Sequence, residues 1–186
     1  MAGPAQPAGA TLARAPATLP REVGMGRLAA GSRGDTLVAV LGSCVGLALL
    51  WPQGGRCALA HCLLPAAPPG ERGMGARYVD QAVPSMLTVL GATPADYADI
   101  DVVVAGGASM LGPGTGLLTV GRQNIVAALA VLQRYGLRVT DSDLGGHAGR
   151  RMLIDCARYQ CAIQTITTPA LEAADHGKHR HRSARH

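Results

Sequence analysis

Two side chains in this sequence could do chemistry together, the Cys44 thiol and the His61 imidazole. Each belongs to a short apolar run. Val45 to Trp51 follows the cysteine, and Cys57 to Leu64 holds the histidine. Between them stand Pro52-Gln53-Gly54-Gly55, all turn residues, so the two runs read as the strands of a hairpin. A turn centred near Pro52 and Gln53 sets Cys44 opposite His61 on one face, with Cβ atoms about 5 Å apart. A slip of one residue would send the histidine to the other face, so the pairing is conditional on register.

Such a pair has a defined chemistry. A free thiol has a pKa of about 8.5 and needs a base or a positive field beside it to react as a thiolate. His61 could act first as base and then as acid toward a leaving ammonia, which is amide hydrolysis through a thioester. The local sequence Leu41-Gly42-Ser43-Cys44-Val45-Gly46 adds a second part. Gly42 and Ser43 permit a sharp bend, and the backbone N–H groups of Ser43 and Cys44 can then form an oxyanion hole. The plainer reading makes Cys44 inert core and His61 a structural histidine. Residue pattern alone leaves both open. A nucleophile elbow does not fit, because it needs a helix after the nucleophile and Pro52 arrives too soon.

The elements that must position this pair follow from periodicity. Thr36 to Leu41 is a β-rich run ahead of the hairpin. Val79, Ala82, Val83, Met86, Leu87 and Leu90 fall at helical spacing, with Pro84 expected to kink or divide the helix. Ile100 to Ala105 reads as a buried strand, and Ile125, Ala128, Leu129 and Leu132 as a second helix closing near Gly136. Leu137 to Thr140 is a strand and Asp141 to Arg150 a loop. Met152 to Cys156 and Gln160 to Ile166 read as a closing pair. The expected fold is α/β or α+β, a single-domain layered sandwich with a mixed sheet and two main helices.

The domain expected over residues 21–171 is flanked by a flexible arm over 1–20 and a basic tail over 172–186. That tail carries His176, His179, His181 and His186, readable as metal binding or as a solvated basic tail. Gly112-Pro113-Gly114-Thr115-Gly116 lacks the Gly-Lys-Ser/Thr ending of a P-loop and reads as a surface loop, one that could frame a groove.

Composition bounds the partners. The 186 residues are 48% hydrophobic and 16% charged, with 17 Lys and Arg against 12 Asp and Glu. Located along the chain, the excess is +3 in residues 1–34 and +2 in 172–186, and zero between. With no Phe, one Trp and four Tyr, stacking platforms are scarce as well. Nucleic acid is not an expected partner. No apolar run approaches the ~18 residues of a membrane span, and no signal peptide is evident, so a soluble cytoplasmic protein is expected. The five cysteines include no CxxC pair, which argues against a disulfide framework or a structural zinc site.

The residues also carry a family resemblance. Leu41-Gly42-Ser43-Cys44-Val45 with His61-Cys62-Leu63-Leu64-Pro65 resembles the paired signature of CheD, the chemoreceptor glutamine deamidases. Ala105-Gly106-Gly107-Ala108-Ser109-Met110 is similar to that family's GGAxM segment, and Gly121-Arg122-Gln123-Asn124 to its G-x-R-N segment. Asp143 to Arg150 resembles its D-x-GG-x-x-x-R loop. These segments run in order over roughly residues 35–165.

The resemblance implies hydrolysis of selected chemoreceptor glutamines to glutamate, with Cys44 as nucleophile, His61 as base, and no metal or cofactor. It also implies a Thr a few residues before the cysteine as third member. Val38 and Ala39 stand there in this chain, and Thr36 is the nearest hydroxyl, about 6–7 Å further along a strand. Ser43 is a possible substitute, although its side chain should point away from that of Cys44. Gly106, Gly107, Ser109 and Arg150 become candidates for the substrate groove. Implied partners are methyl-accepting chemoreceptors and a CheC-type phosphatase, and methyl esters are an implied further substrate. A catalytically weak regulatory protein of the chemotaxis apparatus is the alternative.

Overall fold

Alternating apolar residues build most of this molecule. The computed structural model describes residues 19–109 and 119–166. The expected arm, apart from Leu19 and Pro20, the expected tail and the Gly112 to Gly116 loop lie outside them. The described residues form, in order, β1 (Arg21–Glu22), β2 (Leu28–Ser32), β3 (Thr36–Leu41), β4 (Val45–Trp51) and β5 (Arg56–Cys62). Next come α1 (Val79–Leu90), a 3-10 turn (Pro94–Asp99), β6 (Asp101–Gly106) and α2 (Val120–Arg134). β7 (Arg138–Leu144), β8 (Gly149–Asp155) and β9 (Gln160–Ile166) complete the chain.

The strands make two sheets, and with the two main helices they form the layered α+β arrangement expected. One has four strands in the order β1-β3-β8-β9, the other five in the order β2-β5-β4-β6-β7. Both are mixed, because β1 runs parallel to β3 and β6 parallel to β7, while the other pairs are antiparallel. The five-stranded sheet is the middle layer. Val45, Leu47 and Leu49 of β4 with Ala58, Ala60 and Cys62 of β5 pack against α1 and α2. Ala48 and Leu50 with Cys57 and Leu59 point the other way, onto Leu37, Ala39, Leu41, Met152 and Ile154 of the smaller sheet. A strand buried on both faces reads as a continuous apolar run, as β4 does. The layers are therefore sheet, sheet, helices.

Three expectations need correction. Pro84 neither divides nor ends α1, which runs unbroken for twelve residues. One ladder bond is lost there, and the apolar face of Val79, Ala82, Val83, Met86, Leu87 and Leu90 holds the helix down. Strand β7 continues through Asp141 to Leu144, which reads in sequence as the start of a loop. It is an edge strand with polar residues facing out, and apolar alternation cannot reveal that. The third correction is register. Trp51 pairs with Arg56, so the hairpin loop has four residues, Pro52 to Gly55, closed by the Gly55 N–H donating to the Pro52 carbonyl at 3.1 Å. Partners on β4 and β5 are thus shifted by two residues from a turn centred on Pro52 and Gln53.

Candidate active site

Because the shift is even, the predicted face survives it. His61 lies directly across from Gly46, and Cys44 stands two residues before Gly46 at the entrance to β4. Both belong to the inter-sheet side, Cys44 with Ala48 and Leu50, His61 in line with Leu59 and Cys57. The pair is diagonal, not directly opposed. Diagonal residues of an antiparallel pair sit about 7 Å apart, and a cysteine sulfur and an imidazole ring can close that span. Glycine at 46 matters here. A Cβ would come within 2.7 Å of Leu41 Cδ1 and 3.0 Å of Met152 Sδ, so no side chain fits across from the imidazole.

A crossing segment holds the histidine in place. The chain leaves β1 on the smaller sheet and joins β2 on the larger one, and between them Val23 to Arg27 passes beside His61. The His61 N–H donates to the Arg27 carbonyl at 2.9 Å, and the Gly26 N–H donates to the His61 carbonyl at 2.8 Å. The ring Nδ1 lies 3.1 Å from the Val23 carbonyl oxygen. A carbonyl only accepts, so Nδ1 carries the hydrogen and donates it. In the neutral ring Nε2 is then the basic nitrogen. Burial pushes the imidazole pKa down, partly offset by the Val23 hydrogen bond and by Glu22.

The cysteine is fixed through its backbone. Gly107 N–H donates to the Cys44 carbonyl and Ala108 N–H to the Gly42 carbonyl, both at 2.8 Å. The carboxamide nitrogen of Asn124, in the first turns of α2, donates to the carbonyls of Ser43 and Leu63, each at 3.1 Å. These bonds need close backbone approach. Gly106 has a φ of 100°, and a Cβ there would meet the Cys44 carbonyl oxygen at 2.3 Å. Burial pushes the Cys44 thiol pKa up, with its own backbone N–H pulling the other way.

Of the other predicted residues, the structure gathers most into the frame. Gly106 and Gly107 are buried beneath the Cys44 bend, and Ser109 is half-buried at its edge. Ser109 N–H donates to the Gly146 carbonyl at 2.8 Å, and His147 Nδ1 donates to the Ser109 carbonyl at 3.0 Å. Arg150 is only 7% exposed. Its Nη1 donates to the carbonyls of Gly145 and Ala148, and its Nη2 pairs with Asp143 at 2.8 Å. The guanidinium thus organises the loop that lies along Gly106 to Ser109. Thr36 is not brought to the site. It pairs with Asp155 at the far end of β3, and it shares a face with Val38 and the exposed Val40, away from the inter-sheet core. Ser43 contributes its carbonyl to the Asn124 clamp.

Sequence reasoning missed Val23 and Asn124 as parts of the site. A main-chain carbonyl leaves no trace in residue type. Asn124 stands within the noted segment Gly121 to Asn124, yet only the fold brings it to the nucleophile. Among the described residues, no cluster of three or more His, Cys, Asp or Glu could hold a metal ion.

Comparison with known proteins places the chain in a family. Residues 63–165 match the family described as CheD chemotactic sensory transduction. The chain belongs to the CheD family. The family match begins two residues past His61, whereas pairwise likeness to individual CheD proteins is longer. A Bdellovibrio bacteriovorus protein named probable chemoreceptor glutamine deamidase CheD is 40% identical over 134 residues, covering 71% of this chain and 86% of that protein. A Methanococcus maripaludis CheD of the same name is 34% identical over 134 residues, 72% of this chain and 86% of its own. A Ruegeria CheD, probable chemoreceptor glutamine deamidase CheD 2, is 36% identical over 162 residues, 77% and 90% of the two chains. Among solved structures, a Neisseria meningitidis protein of the DUF152 family reaches a TM-score of 0.39 at 13% identity, over 65% of this chain and 52% of that one. That likeness is too slight to argue from.

Proposed function

We propose that this chain hydrolyses glutamine side chains of chemoreceptors to glutamate, with Cys44 as nucleophile and His61 as general base and acid. The observation that carries the reading is the placement of both groups on one face of adjacent strands, with Nδ1 of the imidazole tied to the Val23 carbonyl. The names of the similar CheD proteins supply the substrate class.

His61 Nε2 takes the thiol proton as sulfur adds to the side-chain carbonyl carbon of glutamine. Negative charge then gathers on the former carbonyl oxygen, facing the N–H groups of the Ser43–Cys44 bend. The imidazolium returns its proton to the nitrogen, the C–N bond breaks, and ammonia leaves a thioester. Water, losing a proton to Nε2, attacks the thioester. Glutamate and the free thiol are restored. The orienting part implied for a threonine falls here to the Val23 carbonyl.

A second reading, a regulatory protein that binds a receptor or a CheC-type phosphatase with little catalysis, is favoured by one observation. Cys44 is 7% exposed and its thiol pKa is raised, neither of which suits a reactive resting thiol. One experiment separates the two. Wild type and Cys44→Ala are incubated with cytoplasmic fragments of the host's chemoreceptors, and peptide mass spectrometry scores conversion of Gln to Glu. Conversion by wild type alone supports the deamidase. Binding with no conversion by either protein moves the assignment to the regulatory reading.

A further inference from the structure

We infer that Asn124 is a positioning residue that aims the Cys44 backbone N–H at the oxyanion. The inference rests on the thiol-deamidase reading and deepens it. Asn124 is fully buried. Both atoms facing its carboxamide nitrogen, the carbonyl oxygens of Ser43 and Leu63, are acceptors, so the nitrogen end must point at them. Among the described residues its Oδ1 has no hydrogen-bond partner. The side chain is thus held by what it donates.

The two carbonyls are not arbitrary. Ser43 immediately precedes the nucleophile, and Leu63 is the residue that the β4–β5 register brings across from Cys44. A trans peptide is planar, with the C=O of one residue antiparallel to the N–H of the next. Among the described residues no peptide bond is cis. Fixing the Ser43 carbonyl toward α2 therefore turns the Cys44 N–H the opposite way, to the inter-sheet side where the thiol and His61 lie. The Gly42 carbonyl, fixed on Ala108 N–H, sets the Ser43 N–H in the same manner. Without Asn124 the Ser43–Cys44 peptide would be held only through its neighbours, by the bonds to the Gly42 and Cys44 carbonyls, and the Leu63 carbonyl would lose its donor beside it. Asn124 thus acts through the peptide it holds.

A pair of small reagents isolates this role. p-Nitrophenyl acetate acylates a thiol through a tetrahedral oxyanion, forming the S–C bond and expelling p-nitrophenolate. Iodoacetamide alkylates the same sulfur by displacing iodide and forms no oxyanion. Both rates are measured at the Cys44 peptide by mass spectrometry in wild type, Asn124→Ala and Asn124→Asp. Their ratio cancels thiol ionisation and access. Asn124→Ala should lower the acylation-to-alkylation ratio roughly tenfold or more, since an oxyanion donor is misdirected. In Asn124→Asp the ratio should fall as pH rises and the carboxyl loses the one proton it can donate, while the wild-type ratio stays flat.

An unchanged ratio in folded variants overturns the inference. So does an equal loss in both reactions, or failure of both variants to fold, because either would make Asn124 merely structural. Neither reagent is a receptor, so a protein without receptor deamidation can still pass or fail this test. A wild type that deamidates receptors beside an Asn124→Ala with an unchanged ratio would sink this inference alone.

Discussion

Burial moves the two reacting groups apart on the pH scale. The Cys44 thiol is pushed up by desolvation, and the His61 imidazole is pushed down by the same cause. At neutral pH both are therefore uncharged, which favours proton transfer during attack over a resting ion pair. Neutral imidazole persists to lower pH than usual, so activity should fall on the acid side only below the ordinary imidazole value of about 6.5. On the alkaline side, Cys44 alkylation should keep rising beyond pH 8.5, since thiolate accumulates only above the usual thiol range. A profile of kcat/KM for deamidation, taken beside iodoacetamide rates, checks both limbs. An acid limb above 7 with alkylation already level by pH 7 would indicate a resting ion pair. The raised thiol pKa also fits the slow labelling expected of the regulatory reading, so the deamidation limb carries the distinction.

At the level of elements, the site depends on a turn that has little apolar packing of its own. The loop after β7 is held by Arg150, whose guanidinium serves Gly145, Ala148 and Asp143. Arg150→Ala should destabilise the protein by about 2 kcal/mol, less than for a fully buried ion pair because the Asp143 carboxylate is partly exposed. The hydrogen bond from Arg150 holds the Asp143 carboxyl below the usual carboxylate range. Its stabilisation is then present above about pH 4 and is lost as pH falls through the folded value. Urea melts of wild type and Arg150→Ala should accordingly draw together at low pH.

What was legible in the sequence divides along the same lines. β3 and β4 have the bounds read from residue type, because Thr36 to Leu41 and Val45 to Trp51 are rich in β-formers between breakers. β2 escaped because Leu-Ala-Ala-Gly-Ser carries almost no β-preference and becomes a strand only by pairing with β5. The hairpin loop was misjudged by two residues, yet a period of two returned Cys44 and His61 to the same face. The Val23 carbonyl was unreadable in principle, since every residue has one.

For the whole molecule, the middle sheet ties two cores into one. β4 and β5 bury successive residues on opposite faces, Leu47 toward the helices and Leu59 toward the smaller sheet. Leu47→Ala and Leu59→Ala should each cost about 3 kcal/mol, and each should still melt in a single transition. Coincident near- and far-UV dichroism would bear this out, and separate transitions would mean that the layers fold apart. The segment from Val23 to Arg27 joins the same two sheets, and it carries a consequence for genetics. A side-chain scan of this protein would find the sulfur and the ring, and at position 23 it would register only the packing of a buried valine, because every replacement keeps the carbonyl. The lesion that exposes it is a frame shift in space: one residue inserted between Glu22 and Leu28, leaving both sheets intact and the imidazole without its anchor.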